Sequence, residues 1–343
     1  MKRSYTDHTV QLHKCNQISA IDDIKESREA TMTCAKKIKT GPGVLLTVMI
    51  ALVSFMCGPV NGMNFMPDPA PPSEEPAPQL SDIVPGPFHL AIRLSNFSRN
   101  YLLVPDQSGS IYAVKKVDPS VAIKLFQVNG LPVAAERYGN TIIVANKLTG
   151  ALELYNRQGK LRRALNTEPL NPSDMARHGR IIFALDSASR EIKVFRIKRR
   201  NSFLFSFGKN VLISPTAITL DKRRRIIYVS DSGVLGQPNT PAVHIFTYRG
   251  EYMGKIKGMD FDFYQPQGVE YSNNQLYVVD IIKGQVSVID LPSMSYRLIG
   301  VYGTKPGELY LPTDIKVFRN DRHKGLYILN SGQGKVEKMD LEG

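Results

Sequence analysis

From about residue 100 to the C-terminus the chain repeats one pattern of apolar and polar positions. A short run rich in β-branched and aromatic residues, as at 101–104, 141–144, 226–229 and 326–329, is followed closely by an Asp or Asn. These are Asp106, Asn146, Asp186, Asp231, Asp280 and Asn330. A polar turn comes next, and then a strand in strict alternation, clearest at 191–195 and 285–289, which predicts one buried and one solvated face. Six prolines (Pro87, Pro132, Pro172, Pro215, Pro266 and Pro312) precede the first strand of each unit at intervals of 40 to 51 residues. Units of about this length, with four short strands and no helical periodicity, are propeller blades. Six of them predict an all-β, six-bladed propeller over 79–343. The last unit runs out after its third strand, near 335–341. The segment 79–84 is expected to supply the missing fourth strand and remove an exposed edge.

The residues of the sixth unit are the most regular. Gly303, Gly307, Leu309, Pro312 and Ile315, then Leu326-Tyr327-Ile328-Leu329-Asn330-Ser331 and Lys335 to Met339, follow the order of glycines, apolar residue, proline and a strand closed by Asn-Ser. In this the chain resembles the NHL-repeat family. The other units are degenerate; the fourth keeps Gly208 and Pro215 but lacks the second glycine. The resemblance implies the propeller fold. It implies no one activity, since the family includes enzymes, RNA binders and scaffolds.

The N-terminal part has a different character. Residues 1–40 are polar, and Lys36, Lys37 and Lys39 precede an apolar run from Val44 to Cys57, with Val60 and Gly62 at small-residue positions beyond it. That is the layout of a secretory signal. The leading segment is long if Met1 is the start and conventional if Met32 is. No charge lies between Lys39 and Asp68, so apolar residues 44–60 also serve as a signal anchor on the alternative reading. Both place the propeller outside the cytoplasm, secreted, periplasmic or membrane-anchored. Residues 1–62 thus read as extension plus signal or anchor. Residues 63–78, with six prolines, read as a semi-rigid linker.

Charge sharpens the picture. The 343 residues carry 44 Lys+Arg against 31 Asp+Glu, a net of +13. Blade topology puts the turns between first and second strands and between third and fourth strands on one face. Those windows hold 20 Lys/Arg and 9 Asp/Glu, a net of +11, whereas residues 79–343 as a whole hold 36 and 23. One face is therefore expected to be basic and to attract an anionic partner. The residues proposed to carry that contact are Arg199, Arg200, Lys222, Arg223, Arg224, Arg225, Arg322 and Lys324. Arg157, Lys160, Arg177, Arg180, Lys115 and Lys116 add to the field. The expected partner is a protein, a glycan or an anionic membrane surface, with no DNA, and RNA only for a cytoplasmic chain.

Catalytic signatures are sparse. All three cysteines, Cys15, Cys34 and Cys57, precede the propeller, which therefore has no thiolate chemistry. No phosphate-binding loop, dinucleotide fingerprint, zinc spacing or nucleophile elbow occurs. Of the propeller's histidines His89, His178, His244 and His323, only His89 falls where it would approach the axis. The six Asp/Asn positions read as turn caps. Related calcium-dependent propeller enzymes would imply axial carboxylates, for which Asp174 and Asp314 are the candidates. No metal or cofactor is assigned. The expectation is a binding propeller, with a calcium-type hydrolase or lyase as its rival.

Overall fold

The computed structural model describes residues 88–165, 168–197, 202–261, 263–319 and 323–342. They form six antiparallel sheets, each built from strands consecutive in sequence. Blade one comprises β1 (Ser95–Asn96), β2 (Tyr101–Pro105), β3 (Ser110–Lys115) and β4 (Ala122–Gln127). The first strands of blades two to six are β5 (Pro132–Tyr138), β9 (Pro172–His178), β13 (Pro215–Asp221), β17 (Pro266–Ser272) and β21 (Pro312–Phe318). Blade six continues through β22 (Gly325–Asn330) and β23 (Lys335–Met339). The protein is a six-bladed β-propeller. The expected signal or anchor, the linker and the closing strand 79–84 lie outside the described residues.

Second strands read as continuous apolar runs because they are covered on both faces. In blade two Ile142, Ile143, Val144 and Ala145 are all buried. The core is accordingly divided into layers between neighbouring blades. Ile143 and Leu152 pack on Met175, Ile182 and Phe195 of blade three. Leu102 and Val114 of blade one meet Tyr327, Leu329 and Val336 of blade six, which closes the ring. Burial of these side chains contributes roughly 1.5–3 kcal/mol each, relative to exposure.

The six Asp and Asn side chains do what turn caps do. Asp231 accepts from the Ile213 and Ser214 N–H groups, at 2.7 and 2.8 Å, and from Gly233 N–H at 2.8 Å. Asp106 does the same for His89, Leu90 and Ser108. Asn146 accepts from Leu131 and Leu148, and Asn330 from Tyr310. Each ties the segment entering a blade to the turn after that blade's second strand. In blades two to six the entering proline pairs with this residue, and a β-bulge follows it. Blade one departs from the pattern. Ala91, not a proline, faces Asp106. Pro87 is thus not the counterpart of the other five prolines, and the first inner strand begins later than its spacing predicted.

The first described residue is tied to blade six. Phe88 N–H donates to Gly334 O at 3.0 Å, immediately before β23. Val128 bonds Gly109 O just before β3 in the same way. Gly258, which follows β16 (Tyr252–Lys257), likewise bonds Pro241 O just before β15 (Ala242–Thr247). In both of those blades the bonding residue directly follows the fourth strand. Phe88 therefore holds, relative to blade six, the place that Val128 and Gly258 hold relative to blades one and four.

Candidate functional site

The inner strands bring three charged residues to equivalent places. Asp174, Ala217, Gly268, Asp314 and Ala134 are each the first paired residue after the bulge. Arg93 holds the corresponding place in blade one, two residues after the Ala91 bridge. Three of the six positions carry small residues, which leaves room at the axis for the side chains of the other three.

Arg93 fills that room. Its guanidinium donates to Thr313 O of blade six at 3.2 Å and to Thr216 O of blade four, and its Nε lies 3.5 Å from Asp174 Oδ2 of blade three. Blade four is diametrically opposite blade one in a six-membered ring, so this side chain spans the axis. It is 3 % exposed. Asp174 Oδ2 also accepts from Ile218 N–H at 2.9 Å, and Asp314 Oδ2 accepts from Leu94 N–H at 2.6 Å. The two carboxylates expected to hold calcium on the enzyme reading are thus engaged by a guanidinium and by backbone donors. Among the described residues no three His, Cys, Asp or Glu side chains converge on one point.

Above this plug lies a well of about 540 Å³, floored by Leu94, Asp174 and Ile218. Its walls carry Glu136, Arg177, Thr219, Glu270 and Lys316, one from each of blades two to six. Glu270 is engaged through Oε2, by Lys316 Nζ at 2.8 Å and the Thr219 hydroxyl at 3.2 Å. Burial works against the Lys316 charge, but Glu270, Asp314 and Asp174 outweigh it and hold its pKa above the ordinary value. Glu136 is different. Among the described residues it accepts no hydrogen bond, and Arg177 Nε stands off at 3.9 Å. Desolvation pushes its carboxyl up to about 7, against the pull of Arg177, Lys316 and Lys222. Desolvation likewise raises Asp174 to about 6, with Arg93 opposing it.

The mouth of the well is the turn joining β13 to β14 (Ile226–Asp231), Lys222-Arg223-Arg224-Arg225. Asp221 forms this turn by accepting from the Arg223 and Arg224 N–H groups, and Arg225 takes a left-handed φ of 56°. All four basic side chains are exposed. Lys222 and Arg223 line the well. Arg224 and Arg225 line a second groove of about 600 Å³ with His178, Tyr248 and Arg249. Arg224 donates to Asn274 Oδ1 of blade five at 2.8 Å and lies 3.7 Å from Asp221. Lys222, Arg223 and Arg225 make no ion pair among the described residues. In the groove, burial and then Lys222, Arg225 and Arg177 lower the His178 pKa.

The structure brings four of the eight expected docking residues together at this turn. Lys324 is exposed in the equivalent turn of blade six. Arg199, Arg200 and Arg322 lie outside the described residues. Lys116 does not belong to the solvated field. It is 2 % exposed, donates to Asn96 Oδ1 at 2.8 Å and to Ser98 O at 3.0 Å, and sits 3.7 Å from the centre of the Phe318 ring. Burial lowers its pKa to about 8. His89 is also displaced from its expected place. It is exposed in the segment before the Ala91 bridge, away from the inner strand. The well itself was missed from sequence. Its signal was a set of polar residues (Glu136, Thr219, Glu270 and Lys316) four places after four of the five bulge prolines, Pro172 being followed by Ala176 instead.

The opposite face has another chemistry. Its turns and connections expose Leu131, Leu148, Leu235, Tyr264, Ile282 and Val301. They come from several blades. That face also exposes Lys147, Arg190, Lys209 and Lys257, so its apolar side chains stand among cations.

No protein-family model matches the chain, and no curated protein does. Solved structures of the same fold do. One is the crystal structure of a nidogen/laminin complex, with a TM-score of 0.52 and 18 % identity, covering 65 % of this chain and 84 % of that chain. Kuenenia stuttgartiensis hydrazine synthase gives a TM-score of 0.55 and 13 % identity, covering 76 % and 79 %. A streptogramin B lyase gives 0.54 and 11 %, covering 76 % and 86 %. At these identities the likeness is one of fold.

Proposed function

We propose that this protein is an NHL-type binding propeller that works outside the cytoplasm and docks an anionic partner or membrane surface on the face bearing Lys222 to Arg225. One observation carries the reading. Four consecutive basic side chains project from one turn, three of them without an ion-pair partner among the described residues, and they stand beside the mouth of the axial well. Exposed charges of one sign raise the local concentration of the opposite sign and speed encounter. The acidic groups of the well do not cancel this field, because Arg93, Arg177 and Lys316 oppose them from inside. Export is supported by the order of lysines and apolar residues from Lys36 to Cys57. A calcium-dependent enzyme is disfavoured by Arg93, which already occupies the axial position between Asp174 and the inner strands.

The test is retention on immobilised heparin across a salt gradient. Reversing Lys222, Arg223, Arg224 and Arg225 to Glu should bring elution to markedly lower salt. The control reverses an equal number of exposed cations at the opposite end, Lys147, Arg190, Lys209 and Lys257, and should shift elution far less. Equal shifts from the two sets would mean that only net charge matters and would overturn the reading. Anionic and neutral lipid vesicles, compared in the same way, separate a membrane surface from a soluble polyanion.

A further inference from the structure

The axial well has the recognition chemistry of a small-molecule site, and its two ends ask for different groups. We propose that it binds a polyhydroxylated anion, a sugar acid or a sugar phosphate, with hydroxyls donated to Glu136 in the depth and the anionic group held by Lys222 and Arg223 at the rim. The proposal rests on the anion-facing reading of this end of the propeller and deepens it.

Three features of the well narrow the ligand. First, the well is closed below by Arg93 and measures about 540 Å³, within the range of roughly 300–1,000 Å³ typical of small-ligand pockets. Second, its interior acceptor is uncommitted. Glu270 is used by Lys316 and Thr219, whereas Glu136 accepts no hydrogen bond from the described residues. Half-buried on the well wall, its carboxylate faces the opening with no protein donor among the described residues, which leaves its oxygens available to a ligand. Third, the rim cations Lys222 and Arg223 are unpaired and exposed.

The order of these groups selects among ligands. A plain polyanion would bring negative charge down to Glu136 and Glu270, so only the rim suits an anionic group. An ammonium would meet Arg177, Lys222 and Lys316, all of which act on Glu136. Neutral hydroxyls are the donors that both charges tolerate, and they can also accept from Lys316 and Arg177. Asn273 and Asn274 at the rim add amide groups of the kind that bind sugar hydroxyls. The lining is mixed: Leu94, Met175, Ile218, Leu220 and Tyr271 stand among the polar groups.

The experiment is calorimetric titration of the protein with D-glucuronate, glucose 6-phosphate, glucose and inorganic phosphate at low salt. At least one of the two sugar anions should bind saturably and about tenfold or more tighter than glucose, that is by at least about 1.4 kcal/mol. Tighter glucose 6-phosphate identifies phosphate as the rim group, and tighter glucuronate identifies carboxylate. Glu136→Gln should weaken the sugar anion at least severalfold and leave inorganic phosphate unchanged. Lys222→Ala with Arg223→Ala should weaken both anions. Absence of saturable binding by either sugar anion overturns the proposal, as does binding insensitive to Glu136→Gln. Those results, with heparin discrimination between the two charge-reversed proteins intact, remove the well ligand and leave the docking face standing. Loss of that discrimination removes the docking face itself.

Discussion

Arg93 of the first blade and Asp174 of the third meet at the propeller axis, Nε to Oδ2 at 3.5 Å, with both side chains almost out of solvent. The pair joins blades that share no sheet. Removing one partner of a buried ion pair costs more than the pair contributes, because the other charge is left uncompensated. Arg93→Met should therefore destabilise the propeller by about 3–5 kcal/mol at pH 7, read from urea unfolding. The loss should shrink at pH 5, where Asp174 takes up a proton. Arg93→Met with Asp174→Asn should recover a large part of it. A single variant as stable as the parent would mean that the axis does not depend on this contact.

Glu136 gives a pH dependence of opposite sign to the usual carboxylate. Its pKa in the fold, about 7, lies above the ordinary value of 4.5, so the folded state binds the proton more tightly than the unfolded chain. Its contribution is most favourable below about 4.5 and is lost as the pH rises through 7. The side chain keeps 21 % exposure, and solvent screening there offsets part of the burial cost. Glu136→Gln should accordingly raise stability at pH 8 by about 1–2 kcal/mol and change it little at pH 4.5. Thermal melts at the two pH values test this; an equal effect at both would show that charge is not the cause.

Asp280 collects four backbone donors, from Tyr264 and Gln265 on one oxygen and Ile282 and Lys283 on the other. Asp280→Ala strands them beside the blade and should cost about 2–4 kcal/mol. Asp280→Asn should cost less, about 1–2 kcal/mol, since one oxygen survives while an amide N–H turns toward the Tyr264 and Gln265 donors. Asn146 tolerates that chemistry because its amide nitrogen finds Asn129 O and Glu153. Chemical denaturation of the two variants, ranked against the parent, decides it.

Much of this was legible in the sequence, and the exceptions share a cause. The hairpins were readable because second strands are covered on both faces and third strands alternate. The six Asp and Asn caps could be placed because their partners are local. Lys116 could not be placed. It reads as half of a charged turn, but Phe318 and Tyr327, whose hydroxyl donates to Lys116 O at 2.9 Å, come from the other end of the chain. Pro87 misled because regular spacing stands in for equivalence only where the pairing is also regular. Arg93 stands in an ordinary stretch just before β1, and its meaning depends on three other blades. Alignment of the units on their bulges would have shown charge at three positions where the remaining three carry Ala or Gly.

The edge of β23 offers a test of closure. The strand expected at 79–84 should complete blade six, and Phe88 stands where a chain leaving a fourth strand would stand. A protein beginning at Phe88 should melt several degrees lower than one beginning at Gln79 and should self-associate more, since an unpaired strand edge templates further pairing. Identical melting and identical elution on size exclusion would show that residues 79–87 do not close the ring.

The guanidinium at the axis also decides what kind of opening the propeller has. A central channel free from end to end would be a passage, through which a molecule could enter at one mouth and leave at the other. With Arg93 bonded to Thr313 and Thr216, the opening on the basic side is a cup. Whatever enters must depart by the way it came, past Lys222 and Arg223, so the residence time of an occupant is governed at the brim rather than at the base.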